Sequence, residues 1–153
     1  MAWEVAQVCD IYDCNSWIKL SVYQGMYNTL YRFVEPEPFP CLQHDGMVFY
    51  SYNPLAGGYL TSRYHCANEA GEVEKGSRFD PNAWHGKGYR ARYMNGDFFA
   101  ALDILRPVAK KHGLTEVECA LRWMTHHSMS KRGVWRCCDY WGVKHETSRR
   151  ELG

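Results

Sequence analysis

The chain has 153 residues, of which 46% are hydrophobic and 23% charged, and its formal net charge is +1. This composition is typical of a soluble globular domain, and a complete domain of this length would bury about 70% of its unfolded surface. The near-neutral balance gives no indication of a nucleic-acid or anionic-membrane partner, and no apolar run approaches the ~18 residues of a membrane span.

The seven cysteines and seven histidines show no pattern of a metal or disulfide site. No two cysteines have Cys-x-x-Cys spacing, and their odd number favours reduced thiols. The adjacent His126 and His127 would point about 100° apart on a helix and are interpreted as a helix end. This spacing predicts no metal site. Because the N-terminus has no signal-type segment, a cytoplasmic location is expected.

The first third of the chain is predicted as helix, strand, helix and strand. A helix over Ala2–Cys14 follows from apolar residues at helical spacing, and a short strand covers Ser21–Gln24. Tyr31–Asp45 is a helix by its place between strands, but each interior proline costs about 3 kcal/mol. We therefore expect a shortened helix that starts near Pro40. The second strand, Met47–Tyr52, is rich in aromatic and β-branched residues.

The rest of the chain is predicted to be mainly helical after a long irregular stretch. Leu60–Tyr64 is predicted as a short helical turn, and His65–Arg90 as irregular, because its glycines leave no clear period. A helix over Gly96–His112 has Asn95 as its N-cap, and a helix over Thr115–Ser128 opens with a capping box. The alternating order predicts an α/β chain with a parallel sheet that has too few strands to be complete.

The turn after the second strand is the strongest candidate binding element. Pro54 cannot donate a ladder hydrogen bond, and Gly57 and Gly58 permit backbone angles that other residues avoid. A strand that runs into a turn with bare amide groups can bind a phosphate, although most turns of this composition are ordinary turns. Gln24, at the end of the first predicted strand, is either a polar strand end or an amide that hydrogen-bonds a ligand.

Several stretches, taken together, resemble the aldo-keto reductases, and within them the branch of aflatoxin-aldehyde and succinic-semialdehyde reductases. They are Val22 to Asn28, Phe39 to Leu42, Phe49 to Gly58, Arg78-Phe79, Leu121 to Met124 and His126 to Ser128. The resemblance covers roughly residues 2–130, with the stretches in the same order and at the same spacing. The sequence around Arg106-Pro107 is similar to that of fungal members.

The resemblance implies part of a TIM (β/α)8 barrel, about strands 6 and 7 with flanking helices, not closed. It implies NADPH-dependent reduction of a small aldehyde or ketone, with the site at the C-terminal ends of the strands. It implies that Gln24 holds the nicotinamide carboxamide, that Arg78 contacts the cofactor, and that Tyr89 and Arg92 touch the substrate. The loop that it implies around the pyrophosphate consists of Asn53, Pro54, Leu55, Ala56, Gly57, Gly58, Tyr59, Leu60, Thr61, Ser62 and Arg63.

The family's catalytic aspartate, tyrosine, lysine and histidine have no match in this sequence, so no catalytic residue is predicted. The leading interpretation is a truncated reductase that is inactive alone and binds NADPH weakly. An alternative is a non-catalytic partner of a full-length reductase, in a homo- or hetero-oligomer. A further alternative is the non-functional product of a degraded gene.

Residues 131–153 depart from the family and are predicted to be an irregular tail. Reading one nucleotide later turns the codons of Trp135 and Trp141 into glycine codons. The intervening codons can then spell Gly-Asp-Ala-Val-Ile-Ile-Gly-Ala-Ser-Ser, which resembles the family's next strand and phosphate-binding turn. The hypothesis is a tail that is out of frame from about Lys131, and the alternative is a solvated basic tail.

Overall fold

The computed structural model describes residues 1–65, 73–129 and 135–137. Within these ranges the chain forms five α-helices, three strands and two shorter helical turns, which are named here in chain order. They are α1 (Ala2–Cys14), β1 (Val22–Met26), α2 (Pro38–His44), β2 (Val48–Tyr52), a 3-10 turn (Ala56–Gly58), α3 (Gly86–Tyr93), α4 (Gly96–Lys111), α5 (Glu116–Arg122), a π-helical turn (Trp123–His127) and β3 (Trp135–Cys137).

The strands form an open parallel sheet in the order β1-β2-β3. The predicted parallel pairing of the first two strands is confirmed, with Gln24 opposite Tyr50. The strand β1 continues two residues beyond its predicted end, to Met26, where it still pairs with β2. Gly25 lies close to the Phe49 ring, and a Cβ there would lie 2.7 Å from Cε2 of Phe49. The sequence pattern did not predict β3, in which Arg136 pairs with Tyr50. The out-of-frame hypothesis concerns residues that otherwise lie outside the described ranges, so it stays a prediction.

The prolines shorten the second helix as expected. Helix α2 begins at Pro38, two residues before the predicted start, with Pro38 in its first turn. A proline there costs little, because the first-turn amide has no helical acceptor and the fixed φ suits the helix. Phe39 and Leu42 are the buried residues of this helix and face the sheet core.

Two predictions between β2 and α4 are wrong. The helical turn expected at Leu60–Tyr64 lies instead at Ala56–Gly58, because Gly57 takes a φ of +71° and the amide of Leu60 turns back to the carbonyl of Leu55, at 3.2 Å. The stretch predicted as irregular contains the start of α3. Residues 66–72 of that stretch lie outside the described ranges.

The core has two parts. One lies under the sheet face that carries Phe49, and helix α1 packs on it through Val5 and Cys9. The other joins the loop after β2 to α3, α4 and α5. Its buried residues are Ala56, Tyr59, Leu60, Tyr64, Phe79, Tyr93, Phe99, Leu102 and Ala120. The predicted stripe of α4 is confirmed at Leu102 and Ala109, whereas Val8 of α1 and Leu121 of α5 are exposed.

The opposite face of the sheet is largely uncovered. Side chains alternate along a strand, so Val22, Gln24 and Met26 share the face of Val48, Tyr50 and Tyr52. Val22 is 43% exposed and Tyr52 is 45% exposed. Just before β1, Ile18 and Leu20 are exposed too. Within the part of the chain that is described, no helix has the length and apolar character to cross a bilayer.

Candidate functional site

The loop after β2 turns sharply through backbone conformations that favour glycine. The φ angles are +65° at Asn53, +53° at Ala56, +71° at Gly57 and +98° at Gly58. The amide of Ala56 donates to the carbonyl of Asn53 at 3.0 Å, and Thr61 Oγ1 donates to the carbonyl of Gly58 at 2.6 Å. These bonds close the loop on itself, so its shape is fixed locally.

A buried amide–phenol cluster of Asn28, Asn53 and Tyr93 anchors this loop. Asn28 Nδ2 donates to the carbonyl of Asn53 at 3.1 Å and to the Tyr93 phenol at 3.3 Å, and Asn53 Nδ2 donates to the same phenol at 3.0 Å. The phenol in turn donates to Sδ of Met26, at 3.3 Å. Burial raises the pKa of Tyr93 to about 12, so the phenol stays neutral. The cluster therefore ties the ends of β1 and β2 to the last residue of α3.

The other end of α3 is fixed by Asp80 and Gly86. The Asp80 carboxylate accepts from the amides of Gly76, at 2.8 Å, and Asn82, at 2.9 Å. Gly86 packs directly on the Asp80 backbone, where a Cβ would lie 1.7 Å from the Asp80 carbonyl oxygen. Only glycine fits there without moving the backbone. Helix α3 is thus held in place at its first residue by Asp80, six positions earlier, and at its last residue by Asn28, 65 positions earlier.

We expect the segment around Asp80 to loosen in acid. The amide donors from Gly76 and then Asn82 lower the pKa of Asp80 below its ordinary value. A carboxylate with a lowered folded-state pKa stabilises the fold above its unfolded pKa, and this contribution is lost as pH falls through the folded pKa. Urea unfolding at pH 7 and pH 3 should therefore show a larger acid loss in the wild type than in Asp80→Asn. Equal losses in the two proteins would contradict this prediction.

A cavity of about 370 Å³ lies beside the loop, lined by Arg78, Trp84, His85, Gly88, Tyr89 and Arg92. The Tyr89 ring connects it to the loop, because a Cβ on Gly57 would lie 2.5 Å from Cε1 of that ring. The Arg78 guanidinium lies 5.7 Å from the same ring. Arg92 reaches back towards β1, with its guanidinium 5.7 Å from the Tyr31 ring and 3.7 Å from Sδ of Met26. The lining is cationic and aromatic, and a phosphate or carboxylate suits it.

The structure brings together some of the predicted site residues and separates others. Gly57, Arg78 and Tyr89 meet at the cavity, and Arg92 lines it. Gln24 is exposed on the open face of β1, two residues before Met26. Arg63 is turned to an exposed ion pair with Glu74, at 3.2 Å. The remaining loop residues fall into two groups: Ala56, Tyr59 and Leu60 are buried, while Pro54, Leu55, Gly58, Thr61 and Ser62 are half-buried or exposed.

Sequence reasoning missed three residues of the cavity wall and two residues that position it. Trp84, His85 and Gly88 line the cavity, but they lie in the stretch predicted as irregular. Asn28 ends one of the stretches that resemble the family, but nothing local marks its contact with Tyr93, which spans 65 positions. The signal that could have identified Asn28 was its position, four residues after the predicted end of the first strand at Gln24.

Comparison with known proteins decides the family. The aldo/keto reductase family matches residues 2–135 of the sequence. The chain belongs to the aldo/keto reductase family. The family's fold is the TIM barrel, and this aldo/keto reductase chain, with its open parallel sheet and flanking helices, is consistent with part of one.

Individual relatives support the same conclusion. The chain is 54% identical over 130 residues to an aldo-keto reductase of Pseudocercospora fijiensis, a match that covers 85% of this chain and 43% of the relative. It is 47% identical to the aldo-keto reductase pigE of Monascus ruber, over 84% of this chain and 38% of the relative. It is 44% identical to human aflatoxin B1 aldehyde reductase member 2, over 83% and 36%. This aldo/keto reductase chain spans about two fifths of the length of these relatives.

Proposed function

We propose that this chain forms the cofactor-holding part of an NADPH-dependent reductase of aldehydes or ketones in the cytoplasm. The observation that carries the proposal is the contact of Gly57, Tyr89 and Arg78 beside one cavity. Three residues from separate segments, each matched to a cofactor or substrate contact, meet there. The relatives named as reductases support the same chemistry.

The residues present fit a dinucleotide. Among the residues that the structure describes, the cavity lining holds two guanidinium groups and no carboxylate, which suits the negative charge of a phosphate. The loop presents a glycine pair at positive φ, and nothing lies within 4 Å of the Cβ position of Gly58, so a phosphate can approach the backbone there. In this proposal the loop Asn53–Arg63 and Arg78 hold the pyrophosphate side of NADPH.

The remaining predicted residues would serve the reacting end. Gln24 is exposed on β1, so its amide is accessible to the nicotinamide carboxamide. Tyr89 and Arg92 line the cavity and would hold a small carbonyl substrate. When bound, NADPH supplies the hydride for the reduction. Because no residue here matches the family's proton donor and its partners, we propose that the chain on its own binds the cofactor without turning it over.

The same proposal places β1 and β2 as the sixth and seventh strands of the barrel. The alternative function, a non-catalytic partner that docks on a reductase chain, is favoured by one observation. The sheet face of Val22 and Tyr52 is uncovered, and exposed Ile18 and Leu20 precede the edge strand. An apolar face and an unpaired parallel edge favour association. Co-purification of a complete reductase with the tagged chain would support this alternative.

Titration with NADPH, followed by its fluorescence and by calorimetry, tests the leading proposal. We expect Arg78→Met to weaken NADPH binding about tenfold, because a charge-assisted contact is lost. Arg122→Met, an exposed arginine of α5 outside the cavity, is the matched control and should change affinity less than twofold. Equal affinities in the two variants would refute the proposed site, and turnover of an aldehyde by the pure chain would refute its inactivity.

A further inference from the structure

Trp84 is a large aromatic residue with almost no cover. Its side chain is 91% exposed although it immediately precedes the N-cap of α3. The Trp84 ring meets the His85 ring edge to face, with the ring centroids 5.5 Å apart and the ring planes at 86°. Single exposed apolar residues are common on protein surfaces. Trp84 differs from most of them because it also lines the cavity beside Arg78 and Arg92.

The other aromatic wall of the cavity is held in place. The Tyr89 ring packs at 5.7 Å from the Phe79 ring and at 6.2 Å from the Tyr93 ring, both of them fully buried. Its position is therefore set by the core and by the cluster of Asn28, Asn53 and Tyr93. Gly57 and the Arg78 guanidinium also lie against the Tyr89 ring, so the exposed indole of Trp84 is the ring on which a flat ligand can stack.

Aromatic walls distinguish flat ligands from saturated ones. Both kinds lose apolar surface to the cavity, but only a conjugated ring also gains the offset-stacked or edge-to-face contact with an indole. The two guanidinium groups of the lining add a preference for a negatively charged ligand that does not depend on its shape. The planarity preference and the charge preference are therefore separable by experiment.

We infer that Trp84 is a specificity-determining residue of the cavity, which selects planar conjugated carbonyl compounds over saturated ones of equal charge and similar size. The inference rests on the proposed function for the identity of the cavity as a carbonyl site. The stacking gain corresponds to roughly a three- to tenfold difference in affinity. The selection belongs to Trp84 and not to Arg92, because the Arg92 guanidinium already lies over the Tyr31 ring and its charge acts on both kinds of ligand alike.

The test compares two probes on the full chain, 4-formylbenzoate and 4-formylcyclohexanecarboxylate, by calorimetry and ligand-observed NMR. The wild type should bind the planar probe three- to tenfold more tightly. Trp84→Ala should bind the two probes equally, Trp84→Phe should recover most of the preference, and Trp3→Ala, an exposed tryptophan of α1, should keep it. A preference that survives in Trp84→Ala overturns the inference, and so does a wild type that binds both probes equally or neither.

NADPH titration of the same proteins separates this inference from the proposed function. A planar preference that is lost in Trp84→Ala supports the role of Trp84 whether or not NADPH binds. Failure of NADPH to bind the wild-type chain counts against the proposed cofactor site alone. An equal loss of affinity for both probes in Trp84→Ala would show a merely structural role and would overturn the inference.

Discussion

Replacing Asn28 by leucine is expected to lower the free energy of unfolding by about 3 kcal/mol. Asn28 is fully buried, and its Oδ1 accepts from the amides of Leu30, at 3.0 Å, and Tyr31, at 2.9 Å. Its Nδ2 donates to the carbonyl of Asn53 and to the Tyr93 phenol. Leucine has a similar size but leaves the amides of Leu30 and Tyr31 without this acceptor, and each such group costs about 1–3 kcal/mol. The Asn53 carbonyl and the Tyr93 phenol lose one donor each but keep the Ala56 amide and Asn53 Nδ2. Denaturant unfolding measures the effect.

Two further variants make the result specific. Asn28→Asp keeps the acceptor for the amides of Leu30 and Tyr31 but removes both donors, so it separates the two halves of the network. Gln7→Leu, at an exposed position of α1, introduces the same leucine on the surface and should change stability by less than about 0.5 kcal/mol. A loss of under 1 kcal/mol in Asn28→Leu would show that the cluster does not hold the loop and α3 together.

Helices whose signals are local were predicted nearly to the residue. Asn95 Oδ1 accepts from the amide of Phe98 at 3.1 Å, and Thr115 and Glu118 form the reciprocal capping box, as the sequence indicated. Such contacts join residues three apart, and the apolar stripe of α4 repeats at helical spacing. Both features can therefore be predicted from the local sequence pattern. Parallel pairing of β1 and β2 followed from the alternating order of helices and strands along the chain.

Helix α3 and the cavity were not predictable in this way. The helix has eight residues and two glycines, with no apolar stripe to mark it. Gly86 packs on Asp80 just before the helix, and Tyr93 contacts Asn28 across 65 positions, a contact made only once the chain has folded. The loop after β2 was identified because it contains proline and glycine residues and because its sequence resembles that of the family. Trp84 and His85 carry no such local signal.

Replacing Gly57 by alanine is expected to weaken NADPH binding at least tenfold and to destabilise the fold by about 1–3 kcal/mol. Its φ of +71° is unfavourable for alanine, and the added Cβ would lie 2.5 Å from Cε1 and 2.7 Å from Cδ1 of Tyr89. That ring cannot move freely, because Phe79 and Tyr93 pack against it. The loop must therefore shift away from the cavity, and the predicted phosphate contacts shift with it. Calorimetric titration with NADPH and urea unfolding measure the two effects.

Gly46→Ala separates the backbone strain from the clash. Gly46 has nearly the same φ, +68°, and nothing lies within 4 Å of its Cβ position. Its alanine variant should lose about 1 kcal/mol of stability, because only the backbone conformation is disfavoured, and should bind NADPH normally. The double variant Gly57→Ala, Tyr89→Ala removes the ring that the new Cβ meets and should recover the stability lost to the clash. If Gly57→Ala and Gly46→Ala lose equal stability and bind NADPH equally well, then the contact between the loop and Tyr89 does not shape the site, and the proposed cradle is wrong.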